Sequence, residues 1–451
     1  MKKAWIISVN MGYGHQRTAF PLKDLAFNKE IIQANDYLGI SEKDRKIWET
    51  TRIFYEFVSN FKRIPLIGEF IFFIFDQYQK ILSFYPKRDL SEPNFQIKQI
   101  FSLIKKGWGK DLILRLPERS EGWRRDLSLR LTRQEGCPPL ISTFFIPAFM
   151  AEYFKYPGDI FCIVCDTDIA RVWAPLSPKL SRIKYFIPTE RVAERLRLYG
   201  VSPQNIFFSG YPLPLENVGG KNMEILKNDL SHRLLNLDPN GRYIHYYEPL
   251  IKKYLGALPA KSNHPLTLMF SIGGAGAQKE IGIKILKCLK RKIKQREIKI
   301  IFSVGVKEKA RRYFEKNIQG LGLKNAENVE ILFDKDLEKY FQKFNRALRT
   351  ADILWTKPSE LSFYSALGLP IIIAPAIGSQ EAFNKRWLVK SGFGLPQEDP
   401  SHTEQWVFDW LGQGYFAEAA MQGFIEGEKL GTFNIKRVIE KCSGSIRKNL
   451  S

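Results

Sequence analysis

Short apolar runs alternate with amphipathic stretches along most of the chain. In the first half, Ala4–Val9, Pro139–Ser142, Ile160–Cys165, Tyr185–Pro188 and Ile206–Ser209 predict buried strands. In the second half, Leu266–Ile272, Ile298–Val304, Val329–Leu332, Ile353–Trp355 and Pro370–Ala374 predict the same. Between strands lie helical patterns: Ile281, Ile285, Leu289 and Ile293 recur every four positions, with lysines filling the opposite side. Strands alternating with helices predict an α/β protein with parallel sheets. The polar stretch from about Leu215 to His264, with Gly219-Gly220 and the turn Asp238–Gly241, separates two such units. It reads as an interdomain connection or as a local helical pair. A ligand crevice between two α/β units is the usual consequence.

Composition narrows the class. The chain has 451 residues, 44% hydrophobic and 26% charged, enough for two or three globular domains. Lys and Arg outnumber Asp and Glu 69 to 47, a net charge of +22. That excess attracts a polyanion, either nucleic acid or an anionic lipid surface. The five cysteines are scattered, and Cys162 and Cys165 lie in an apolar run, so buried thiols are expected rather than a metal site. The run Ala4–Val9 after Met-Lys-Lys is too short for a signal peptide and reads as a first strand. No apolar stretch approaches the ~18 residues that span a bilayer. The expectation is a cytoplasmic chain or one attached to a membrane from one side.

Candidate chemistry lies at strand ends. Gly12-Tyr-Gly14-His15 follows the first strand, where glycines permit a tight turn and His15 can exchange a proton near neutral pH. A second glycine loop, Ser271-Ile-Gly273-Gly274-Ala-Gly276, closes the first strand of the second half and can present amides to a diphosphate. A plain strand-to-helix turn also explains each loop. Thr356-Lys357-Pro358-Ser359-Glu360 joins a strand to a helix that Ser359 can cap. Gln380, Glu381 and Asn384 follow the next strand and suit sugar hydroxyls. Asp166-Thr-Asp168 ends a buried strand, where one carboxylate can work as a base or cap a helix. Arg52 to Lys87 is rich in Phe and bordered by cations. It reads as a membrane-facing hairpin, with Phe70, Phe72, Phe73, Lys62 and Arg63 at the surface, or as a core-packed helix pair.

The ordered set Gly-x-Gly-His, Thr-Asp, Pro-Thr-Glu, Ser-Gly-Tyr-Pro, Gly-Gly-x-Gly, Thr-Lys-Pro, Gly-Leu-Pro and Gly-x-Gln-Glu-x-x-Asn resembles the monogalactosyldiacylglycerol synthases and processive diacylglycerol glucosyltransferases. These are GT-B enzymes similar to glycosyltransferase family 28, and the resemblance runs from about residue 4 to about 395. It implies two Rossmann-like domains facing across a cleft. The acceptor lipid would bind the first, with Gly12 and Gly14 on that side and His15 and Asp168 catalytic. The donor, a UDP-sugar, would bind the second through Gly273, Gly274, Gly276, Lys357, Ser359, Glu360, Gln380, Glu381 and Asn384. It further implies inverting transfer of a hexose without metal or cofactor, on an anionic membrane surface from the cytoplasmic side and without a specific nucleic acid.

Three departures stand out: Ser359 and Glu360 replace the family's glycines after Lys-Pro, Tyr364-Ser365-Ala366 replaces its Ser/Thr-Glu-Ala, and Arg171 and Trp173 stand near a missing His. Expected boundaries are 1–215 for the first domain, with a helical insertion at about 45–125, 216–260 for the connection and 261–395 for the donor domain. Residues 396–451 are expected as helices crossing back to the first domain. Other expectations are a GT-B enzyme with a soluble acceptor or epimerase activity, and an inactive GT-B module that binds membrane or nucleic acid.

Overall fold

The computed structural model describes residues 3–61, 81–116, 137–273 and 278–442. They form two units, each built on one six-stranded parallel sheet. The first comprises residues 1–212, 377–380 and 430–451, and the second 213–376 and 381–429.

The first sheet contains β1 (Ala4–Ser8), β2 (Ala26–Gln33), β3 (Leu140–Ser142), β4 (Ile160–Ile163), β5 (Lys184–Ile187) and β6 (Ile206–Phe208). Their spatial order is β2-β1-β3-β4-β5-β6, with every neighbouring pair parallel. The apolar runs are continuous because helices cover both faces of such a sheet. One core gathers Ile6, Leu22, Leu25, Ile141, Phe161 and Phe186, together with Ile435 and Ile439 of the helix Gly431–Cys442. Phe161 and Phe186 stack with ring centroids 5.0 Å apart.

The second sheet contains β7 (Thr267–Ser271), β8 (Lys299–Gly305), β9 (Val329–Phe333), β10 (Ile353–Thr356), β11 (Ile371–Ile373) and β12 (Gly394–Pro396). Its order, β12-β11-β10-β7-β8-β9, is that of a doubly wound Rossmann sheet, all parallel. In each sheet the order reverses beside the first strand, between β1 and β3 and between β7 and β10. Ligands bind such sheets at that reversal, beyond the strand C-termini.

Residues 216–260 fold into the second unit as helices, the local helical alternative rather than the interdomain connection. The helix Glu224–Leu237 buries Leu226, Leu230, Leu234 and Leu237. From the same helix, fully buried Arg233 donates to the carbonyls of Ala351 (2.8 Å), Leu367 (2.8 Å) and Gly368 (3.0 Å). The helices Thr403–Gln413 and Tyr415–Glu426, expected to cross back, stay with the second unit. Trp406 packs on Trp355 of β10 at 5.2 Å, and Gly423 lets its helix approach the Ser365 carbonyl so closely that a Cβ would collide. The helix Gly431–Cys442 belongs to the first unit, as expected. The expected lysine-rich helix is interrupted at Leu289, between Lys279–Cys288 and Lys290–Lys294. No helix among the described residues is long and apolar enough to cross a membrane.

At the opposite, N-terminal end of β10, buried Asp352 accepts from Asn236 Nδ2 (3.0 Å), from the Thr267 N–H (2.7 Å) and pairs with His264 Nε2 (3.0 Å). Burial raises its pKa, while His264, Arg233 and the Thr267 N–H pull the other way. A raised folded-state pKa means stabilisation that is present in acid and lost as pH rises through the raised value. Asp352→Asn is therefore expected to flatten the dependence of unfolding free energy on pH above the ordinary carboxylate range, measured by urea titration at a series of pH values.

Candidate functional site

In the first unit, β1 leads into Gly12, whose φ of 105° lies where a side chain is strained, and the turn delivers the helix Tyr13–Ala19. Thr18 Oγ1 donates to the Gly14 carbonyl at 2.8 Å, holding the turn. His15 is half-buried, with Nδ1 2.7 Å from the Thr143 carbonyl just beyond β3. A carbonyl only accepts, so Nδ1 carries the proton and neutral imidazole keeps its lone pair on Nε2. Cys165 Sγ lies 3.5 Å from the same nitrogen, and Phe144 lies 4.7 Å from the ring by centroid. Trp173 stands 6.4 Å away. His15 is thus held in orientation at the β1/β3 reversal, with aromatic side chains beside its ring. Thr143, Phe144 and Cys165 were not foreseen. For Thr143 and Phe144 the signal was the polar Ser142-Thr143 pair closing an apolar run, and for Cys165 its place at the end of the run from Ile160.

Asp168, expected as catalytic, is placed otherwise. Its two oxygens accept from Arg195 Nε (2.8 Å) and Nη2 (2.9 Å), and one also accepts from the Ile169 N–H (2.9 Å). Both side chains are almost completely buried, 3% and 0% exposed. Burial works against the Arg195 charge, yet Asp168 more than offsets it and holds the guanidinium above its ordinary pKa. A carboxylate so engaged ties the loop after β4 to the helix Glu190–Leu198 and is not presented to an acceptor. Arg171 is likewise structural, donating to the Ser91 (2.6 Å) and Ala174 (2.7 Å) carbonyls.

In the second unit Gly273, Lys357, Glu381 and Asn384, four of the expected donor residues, lie together at the β7/β10 reversal. Thr356 Oγ1 donates to the Ser271 carbonyl at 3.3 Å, joining the two strand ends. Lys357, the next residue, lies across Gly273: a Cβ built there would stand 2.6 Å from Lys357 Cε. Its ammonium pairs with Glu381 of the helix Ser379–Lys390, and the two side chains are 21% and 14% exposed. Asn384, one turn on, is fully buried and donates through Nδ2 to the Pro358 carbonyl at 3.2 Å. It therefore fixes the loop that carries Lys357. Gln380 is half-buried in the first turn of the same helix.

Ser359 precedes a 3-10 helix, Glu360–Leu367, and makes no side-chain capping bond. The expected cap is therefore absent. Glu360 is half-buried at the start of that helix. Gly274 and Gly276 lie outside the described residues, as do Phe70, Phe72, Phe73, Lys62 and Arg63.

A cation held beside a glycine-lined strand end, at the point where sheet order reverses, is suited to an anionic group. Gly273→Ala forces the flexible end of Lys357 aside without touching backbone. It is expected to weaken binding of an anionic ligand about tenfold while leaving stability within about 0.5 kcal/mol. Lys357→Ala should lose as much, and the double variant no more, by titration calorimetry. Additive losses would show that the two residues act separately.

A family described as a domain of unknown function (DUF6938) matches residues 259–392. No curated protein matches the sequence significantly. Among solved structures, the chain is similar to the UDP-GlcNAc 2-epimerase of Neisseria meningitidis bound to UDP-GlcNAc, at 13% identity and TM-score 0.46, covering 98% of this chain and 100% of that one. It is similar to MurG of Acinetobacter baumannii at 13% identity and TM-score 0.40, covering 73% and 78%. A glycosyltransferase from Rickettsia africae follows at 14% identity and TM-score 0.39, covering 72% and 80%.

Proposed function

We propose that the chain is an inverting hexosyltransferase that moves a sugar from a UDP-sugar to a hydroxyl of a lipid such as diacylglycerol. The observation that carries this is the convergence of Gly273, Lys357 and Glu381 at the order reversal of the second sheet. Lys357 meets the diphosphate, and Glu381 and Gln380 meet the sugar hydroxyls. In the first unit His15 Nε2 takes the proton of the acceptor hydroxyl. The acceptor oxygen then bonds to the anomeric carbon as the bond to the UDP oxygen breaks, and UDP leaves with that electron pair, its charge stabilised by Lys357. No metal enters this step, so chelation with EDTA should leave turnover unchanged. The place of work in this reading is the cytoplasmic face of an anionic membrane, to which a net charge of +22 is attracted.

The test is a thermal-shift panel of UDP-, GDP- and dTDP-sugars, followed by mass spectrometry of lipid extracts incubated with the best nucleotide-sugar. A ligand at about 100 times its Kd adds about 2.7 kcal/mol of stability, a readily measured shift. Hexosylated lipid with release of UDP supports the reading. Conversion of the nucleotide-sugar in the absence of any acceptor would instead identify an epimerase. Failure of every nucleotide to raise the melting temperature would leave a binding module.

A further inference from the structure

The helix Arg242–Tyr246 in the second unit buries none of its five residues. The following helix, Glu248–Leu255, buries only Ile251. Between and beside them, Tyr246 is 77% exposed, Tyr247 47% and Tyr415 46%. The turn that carries Tyr415 is fastened to this helix: Asn240 Nδ2 donates to the Gly412 carbonyl at 3.1 Å, and Arg242 binds Gln413. A Cβ on Gly414 would stand 3.2 Å from Tyr243 Cβ. The three exposed tyrosines therefore belong to one connected surface, with Arg242, Lys252 and Lys253 exposed around them. Glu248 engages Lys252 at 2.6 Å on the exposed surface, where such a pair exchanges readily with other anions.

Grouped aromatic surface left in water signals a binding face. Tyrosine has an apolar ring and a hydrogen-bonding tip, which suits the boundary between acyl chains and headgroups, and adjacent cations reach lipid phosphates. We propose that this face of the second unit is an interfacial anchor for an anionic lipid bilayer. Tyr246, Tyr247 and Tyr415 lie at headgroup depth, and Arg242, Lys252 and Lys253 meet the phosphates. The proposal rests on the reading of the chain as an enzyme with a lipid acceptor. A single-stranded nucleic acid fits less well. The Tyr247 ring is already packed on Tyr243 at 4.6 Å, and three cations do not make a phosphodiester track.

The full-length chain is sedimented with vesicles of phosphatidylcholine alone and of phosphatidylcholine mixed with phosphatidylglycerol. Partitioning onto the mixed vesicles is expected to exceed that onto neutral ones and to fall with salt. Tyr246→Ser, Tyr247→Ser and Tyr415→Ser together should lower it about tenfold. Lys252→Gln with Lys253→Gln should lower it about 25-fold, roughly fivefold per cation. All these side chains are exposed, so unchanged melting temperatures will show that the variants fold. Wild-type partitioning that both variants retain would overturn the anchor and leave the lipid-acceptor reading standing. So would binding of a single-stranded oligonucleotide, lost in the tyrosine variant, with no binding to either vesicle. Partitioning lost in both variants supports the anchor even if no nucleotide-sugar binds, in which case only the transferase reading fails.

Discussion

Arg195→Met is expected to lower the unfolding free energy by about 3–5 kcal/mol, because it leaves the Asp168 carboxylate buried without its cation. Asp168 would keep only the Ile169 N–H among the three donors it now has. The companion variant makes the argument sharper. Arg195→Met combined with Asp168→Leu removes both charges and is expected to recover most of the loss, since a buried pair exchanged for apolar side chains is often neutral. Urea denaturation of the three proteins measures both effects. A single variant as stable as wild type would mean that water reaches Asp168, and the carboxylate would then return to consideration as a catalytic group.

His15→Ala is expected to lower turnover by about 10²–10⁴-fold, the usual contribution of a positioned general base. Binding of the nucleotide-sugar should be unaffected, because the Lys357–Glu381 pair belongs to the other unit. Initial rates at saturating donor, with calorimetric Kd values for UDP, separate the two. A rate within tenfold of wild type would remove His15 from the chemistry. Equal losses in rate and nucleotide affinity would point to a folding defect instead.

Of the twelve strands among the described residues, ten follow the apolar runs, most of them because a strand covered on both faces must be apolar throughout. The two that escaped are sheet edges. In β2, Asn28, Lys29 and Glu30 are exposed and break the run, and β12 is three residues containing Gly394 and Pro396. Such strands are held by a neighbour's ladder more than by their own pattern. Gly273 and Lys357 could be picked out because each follows directly on the end of an apolar run. Asp168 was misread because its partner lies 27 positions away. Yet Arg195 falls on the same face of its helix as buried Val192 and Leu196. A cation on an apolar stripe must find a buried anion, and that was the available clue.

The return of Gly431–Cys442 has a consequence for biosynthesis. Ile435 and Ile439 fill the same core as Ile6 and Phe161, but they are translated only after the entire second unit. The first unit therefore emerges from the ribosome with a gap in its interior, and the second can mature before it. A gene fragment ending at Pro212 would yield a protein with exposed apolar surface. Fusing the terminal helix back onto that fragment should restore its solubility.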